Sequence, residues 1–172
     1  IAADLALEAA ILGTLQHKNI ITIHGSNSRA DPKSIQGHFI VLDLLEETLE
    51  QQFDKLRKSN HIFSKLTSGQ SILERLLSST NGICEALNYL HQKGIVHRDL
   101  KPGNIGFDNK GIVKLFDFGL ARHEKDSNLT IAGSLRYMSP ETIMAKGCDQ
   151  RSDVYSFGLL LYETVTLSKP YN

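Results

Sequence analysis

Two loops rich in chemically capable side chains stand only twelve residues apart, and the stretch between them constrains the fold more than any other part of the chain. The first is His97-Arg98-Asp99-Leu100-Lys101-Pro102-Gly103-Asn104 and the second is Asp117-Phe118-Gly119. Between them, Ile105-Gly106-Phe107 and Ile112-Val113-Lys114-Leu115 flank Asp108-Asn109-Lys110-Gly111, a four-residue turn with strong hairpin chemistry. A short β-hairpin is therefore predicted between two polar loops. Those loops carry the parts that phosphoryl transfer needs. Asp99 can accept the proton of an attacking hydroxyl, Lys101 can neutralise the phosphate being moved, and Asn104 and Asp117 offer the hard oxygen ligands that Mg²⁺ prefers.

The rest of the chain reads as helices around small sheets. Leu5, Ala9, Leu12 and Leu15 recur at helical spacing, which predicts an amphipathic helix over 2–16. Ile20 to His24 and Phe39 to Leu42 are short β-rich runs, and the polar stretch from Ser26 to Gly37 reads as their hairpin connection. Glu46 to Lys58 is predicted helical, and Ser59 to Gly69 is a polar insertion. Ser71 with Glu74 three residues on forms a capping box opening a long helix, and Gly94 suits its exit. Leu73, Leu76, Leu77, Ile83, Leu87 and Leu90 form the helix's expected apolar stripe.

Composition narrows the partners. Nineteen basic residues balance nineteen acidic ones, so no global charge favours nucleic acid or an anionic membrane surface. The most apolar run, Phe157 to Val165, contains Gly158 and Glu163 and is too short to span a bilayer. Cys84 and Cys148 are too few for a disulfide framework or a zinc site, which fits two free thiols in a reducing, cytoplasmic setting.

The two loops resemble the catalytic loop H-R-D-L-x-x-x-N and the metal-binding turn D-F-G of the eukaryotic protein kinase family. Further landmarks fall in the family's order. Glu8 with Ile11-Leu12 and then His17-Lys18-Asn19-Ile20 looks like the regulatory helix running into the next strand. Gly133 to Met138 and Ser139-Pro140-Glu141 resemble the end of the activation segment, with Ser for Ala in the A-P-E triplet. Asp153-Val154-Tyr155-Ser156-Phe157-Gly158 resembles the start of the buried helix beneath the catalytic loop. The resemblance implies an α+β, two-lobe fold cut at both ends. Residues 1–42 would be the remainder of the N-terminal lobe, 43–45 the hinge and 46–172 a mainly helical, incomplete C-terminal lobe. No G-x-G-x-x-G and no Val-Ala-Ile-Lys-type strand occurs in the sequence, so this piece alone is expected to lack turnover.

Roles follow by resemblance. Asp99 would be the catalytic base, and Lys101 would contact the γ-phosphate in the Ser/Thr-specific version of the loop. Ser134 would replace the usual Thr and reach both of them. Asn104 and Asp117 would hold Mg²⁺ against ATP. Leu42 falls at the gatekeeper position, with Asp43 to Leu45 in the hinge. Gly106 sits where a bulky aliphatic residue usually lies under the adenine, and Phe116 is expected to swing into the space it leaves. Glu8 would pair with an upstream lysine, and Phe118 would pack against the Glu8 helix. His97 would pack below Phe118, in a column with Leu12 and Ile23. Asp153 would accept backbone hydrogen bonds from the catalytic loop. Arg98 would receive a phosphate placed by an upstream kinase on Ser127 or Thr130. The expected partners are ATP, Mg²⁺ and protein substrates bearing Ser or Thr hydroxyls. A pseudokinase scaffold and a small-molecule kinase on a related fold are the alternatives, the second disfavoured by the Gly133 to Glu141 platform.

Overall fold

Phe53, Leu90, Leu100, Ile105, Leu115, Phe118 and Leu160 have no exposed surface, and one continuous cluster of buried side chains joins nearly every element to them. The computed structural model describes residues 2–27, 38–58, 70–126 and 131–171. In order these form helix α1 (Ala2–Leu12), strands β1 (Ile23–Ser26), β2 (Ile40–Leu42) and β3 (Glu47–Thr48), and helices α2 (Leu49–Lys58) and α3 (Gln70–Gln92). Strands β4 (Ile95–Val96), β5 (Ile105–Phe107), β6 (Val113–Leu115) and β7 (Arg122–His123) follow, and then helices α4 (Pro140–Ile143) and α5 (Gln150–Thr166). The strands make three small antiparallel sheets, β1–β2, β3–β5–β6 and β4–β7. The predicted α+β architecture is the one observed.

The hairpin between the two polar loops forms as read, with Ile105 opposite Leu115 and Phe107 opposite Val113. The Asp108 carboxylate accepts the Lys110 and Ile112 N–H groups, each at 2.9 Å, and so satisfies the turn's own backbone. A neighbouring stretch adds to it. Ile21 N–H donates to Leu115 O at 3.0 Å and Leu115 N–H to Asn19 O at 2.9 Å, so Asn19 to Ile21 lies parallel along β6 before the chain turns into β1.

Local chemistry shifts several boundaries. Helix α1 stops at Leu12 rather than at residue 16, because Gly13 is a poor helix former and the Thr14 hydroxyl takes the Ile11 carbonyl at 2.8 Å. The helix expected from Glu46 begins at Leu49, because Glu47 and Thr48 pair with Phe107 and Gly106. Its start carries a reciprocal cap. Gln51 N–H donates to Thr48 Oγ1 at 3.2 Å and Thr48 N–H to Gln51 Oε1 at 2.8 Å. Helix α3 begins at Gln70, one residue before the Ser71 expected as its cap, and the chain leaves it through Gly94 at φ +67°. Its buried stripe is Leu76, Ile83, Ala86, Leu87 and Leu90, while Leu77 is 43% exposed and does not belong to it. Leu77 follows Leu76 by one residue, a rotation of about 100° that turns it off that face. The connection over 28–37, the insertion over 59–69 and the Leu73 side chain lie outside the described residues.

A buried ionic junction ties α2, α5 and the 134–138 segment together. Glu163 is 1% exposed, and Arg57 Nη2 donates to its Oε1 at 2.5 Å while the Tyr137 hydroxyl donates to Oε2. Arg57 Nε also donates to Leu167 O at 2.6 Å, the carbonyl at the left-handed end of α5. Removing the cation would strand a buried carboxylate. Arg57→Ala should therefore lower stability by about 3–5 kcal/mol in urea denaturation, and Arg57→Met with Glu163→Leu and Tyr137→Phe should recover most of that loss.

Candidate active site

The base of the site is a single carboxylate. Asp153, in the first turn of α5 and 1% exposed, accepts the N–H groups of His97 and Arg98, each at 2.9 Å, and the imidazole of His91 at 2.9 Å. Arg98 is at φ +72°, a left-handed conformation that costs a non-glycine residue roughly 1–2 kcal/mol. Two neighbouring N–H groups captured by one buried carboxylate hold the backbone there. His97 is fully buried, its ring edge-on to Phe118 with centroids 5.0 Å apart and its Nε2 3.3 Å from Phe116 O. Leu12 and Phe118 belong to the buried apolar cluster and the partly buried Ile23 packs against it.

On that base, four of the expected residues converge. Lys101 Nζ donates to Asp99 Oδ2 at 2.7 Å and to Ser134 Oγ at 2.8 Å. Ser134 N–H donates to Asp99 Oδ1 at 2.7 Å. Asn104 Nδ2 donates to Asp99 O at 2.8 Å and Asp99 Oδ2 at 3.0 Å. Both partners of that amide nitrogen are acceptors, so the amide orientation is fixed, with Oδ1 as its acceptor oxygen. Burial alone would push the Asp99 carboxyl up; the Lys101 ammonium and the Ser134 hydrogen bonds outweigh it, and the net direction is down.

Gly133 makes the approach of Ser134 to Asp99 achievable, a role the sequence reading missed. It sits at φ +124°, and a Cβ there would lie 2.6 Å from Arg98 O, so only glycine fits. Its position directly before Ser134 was the available signal.

Asp117 is exposed and also left-handed, at φ +61°. Phe118 is fully buried, and its N–H donates to Glu8 Oε1 at 3.0 Å. Glu8 thus holds the 117–119 turn to α1, a contact that the expected lysine pairing did not anticipate. Burial pushes its carboxyl up, the Phe118 N–H pulls it down, and the nearby Asp117 charge adds to the rise; the net direction is up.

Leu42 and Leu45 are half-buried against the core. The Asp43 side chain turns to neighbours on the other strands, accepting from Thr22 N–H at 3.0 Å, with His24 Nε2 at 2.8 Å and Lys114 Nζ at 3.5 Å. The volume beside Gly106 is filled by Leu45 and not by Phe116, which corrects the expected swap. Backbone pairing decides this, since Phe116 N–H is bonded to Asn104 O at 3.0 Å while Leu45 is brought over Gly106 by the adjoining β3. Ser127 and Thr130 lie outside the described residues. Among the described residues no group of three His, Cys, Asp or Glu side chains could hold a metal, and no helix is long and apolar enough to cross a membrane.

A buried loop carrying Asp, Lys and Asn in mutual contact, followed by a hairpin and an Asp-Phe-Gly turn, is the arrangement of a phosphotransferase core. The chain matches the protein kinase domain over residues 2–172 and belongs to that family. It is 37% identical to a protein of Streptomyces coelicolor named as a probable serine/threonine-protein kinase, over 95% of this chain and 24% of that protein. It is 32% identical to serine/threonine-protein kinase STY17 of Arabidopsis thaliana, over 98% of this chain and 27% of that one. Against serine/threonine-protein kinase PknB of Mycobacterium tuberculosis the identity is 33%, over 95% of this chain and 25% of the relative. The chain thus spans about a quarter of the length of these curated relatives.

Asp43 provides a pH test. Burial works against its ionised form, but the His24 and Thr22 hydrogen bonds and the Lys114 charge prevail and bring it from 3.8 down to about 2. A depressed folded value means stability that is complete above the ordinary value and is lost as pH falls through the folded one. Asp43→Asn should therefore remove up to about 1 kcal/mol of pH-dependent stability between about pH 4 and pH 2, since solvent screens these partly exposed charges. Urea midpoints at pH 2, 3, 4 and 6 measure it, and an unchanged acid limb in the variant would contradict the assignment.

Proposed function

We propose that the protein transfers the γ-phosphoryl group of ATP to Ser or Thr hydroxyls of protein substrates. The observation that carries this reading is the contact network among Asp99, Lys101, Asn104 and Ser134, closed at 2.7–3.0 Å. Phosphoryl transfer asks a protein mainly for positioning and charge neutralisation, and this network supplies both. The names of the relatives support the same activity, and Lys101 with Ser134 supports Ser/Thr as the acceptor.

In this reading Asp99 orients the substrate hydroxyl and takes its proton as the oxygen bonds to the γ-phosphorus and the bond to the bridging oxygen of ADP breaks. Lys101 is the mobile cation of the group, able to turn from Asp99 and Ser134 towards the phosphate. The Asn104 amide oxygen and the Asp117 carboxylate would hold Mg²⁺, both being hard oxygen donors. The metal would supply neutralisation of the phosphate charge. Leu42, Asp43 and Leu45 would border the nucleotide base. Arg98 would read a phosphate placed on Ser127 or Thr130 by an upstream kinase.

The decisive measurement is transfer of labelled phosphate from ATP to Ser, Thr and Tyr peptides by the full-length protein. Label should appear on Ser and Thr. Asp99→Asn should lower kcat by about 10²–10⁴-fold with unchanged circular dichroism. Wild-type protein that binds ATP yet transfers nothing would instead select the scaffold reading.

A further inference from the structure

Gly106 has no side chain, yet the space beside its Cα is occupied. A Cβ added there would fall 2.6 Å from Leu45 Cδ1 and 3.3 Å from Leu45 Cβ and Cγ. Non-bonded carbons do not approach to 2.6 Å, so the Leu45 side chain fills the volume that a residue 106 side chain would need. Backbone bonds place it there. Glu46 N–H donates to Phe107 O at 2.8 Å, and Thr48 pairs with Gly106, so the chain either side of Leu45 and Gly106 is locked together. Leu45 is only half-buried, leaving part of its apolar surface outward, and it shares the core's edge with the half-buried Leu42 and Phe116.

We propose that Leu45 supplies the apolar floor on which the nucleotide base rests, in place of a side chain at 106, so that residues 45 and 106 act as one steric unit in base selection. This rests on the reading that the site takes ATP. The floor then belongs to the segment joining β2 to β3 instead of to β5. Its height under the base is set by the conformation of that segment.

The experiment compares the Kd of ATP with that of inorganic tripolyphosphate, which has no base, for the full-length protein and three variants. Leu45→Ala should weaken ATP about tenfold, the scale of a lost apolar pocket contact, and leave tripolyphosphate unchanged. Gly106→Ala should weaken ATP to a similar extent by driving Leu45 Cδ1 off its seat. In the double variant that clash is relieved, so its loss should be several-fold smaller than the product of the single losses. Losses that simply multiply, or tripolyphosphate affinity falling in step with ATP, would overturn the inference. Wild-type protein that binds ATP no better than tripolyphosphate would overturn the nucleotide reading itself, and the inference with it. Thermal melting accompanies each variant. Should Gly106→Ala fail to fold, the ATP-to-tripolyphosphate ratio of Leu45→Ala decides alone, an unchanged ratio refuting the floor.

Discussion

The Asp153 carboxylate is the interaction on which the site depends. It is buried, and it spends its acceptor capacity on two successive backbone N–H groups and one imidazole. A buried carboxylate is expensive unless its lone pairs are satisfied, so the site and its support are mutually necessary. The loop needs Asp153 to keep Arg98 left-handed, and Asp153 needs the loop to be tolerated inside the protein. Everything that follows in the chain, from Asp99 to Asn104, takes its direction from that fixed start.

The second requirement is that the 133–138 segment come back to the loop. Three contacts achieve this from different elements: Ser134 on Asp99 and Lys101, Gly133 packed against Arg98 O, and Tyr137 on Glu163. Glu163 is held in turn by Arg57 from α2. The segment is therefore secured at both ends by buried polar groups, a demanding arrangement in which every member must be matched.

Much of this was legible in the sequence because the decisive residues sit in short motifs that follow one another in a fixed order. The Asn104 amide bonded to Asp99 was not anticipated, whereas the hairpin between the loops followed from turn chemistry and the reach of Ser134 to Asp99 and Lys101 from motif order. Asp153 was legible for the same reason. What was missed depends on long-range geometry. Nothing local to Glu8 says that its carboxylate will find the Phe118 N–H, and nothing local to Arg57 names Glu163. The space beside Gly106 was rightly expected to be filled, but volume alone could not choose between Leu45 and Phe116; backbone pairing chose. The Thr48–Gln51 cap was visible as a four-residue pattern but was masked by the expectation of a longer helix.

The pairing of Lys101 with Asp99 has a further meaning for timing. While the ammonium and the Ser134 hydrogen bonds rest on the carboxylate, they together outweigh burial and make Asp99 a poor proton acceptor. In the proposed reaction, a phosphate that draws Lys101 away removes part of that opposition, while burial, the largest single influence, stays and raises the affinity of Asp99 for a proton. The arriving nucleotide would thus sharpen the base that the reaction requires, and an idle site would hold its proton acceptor muted.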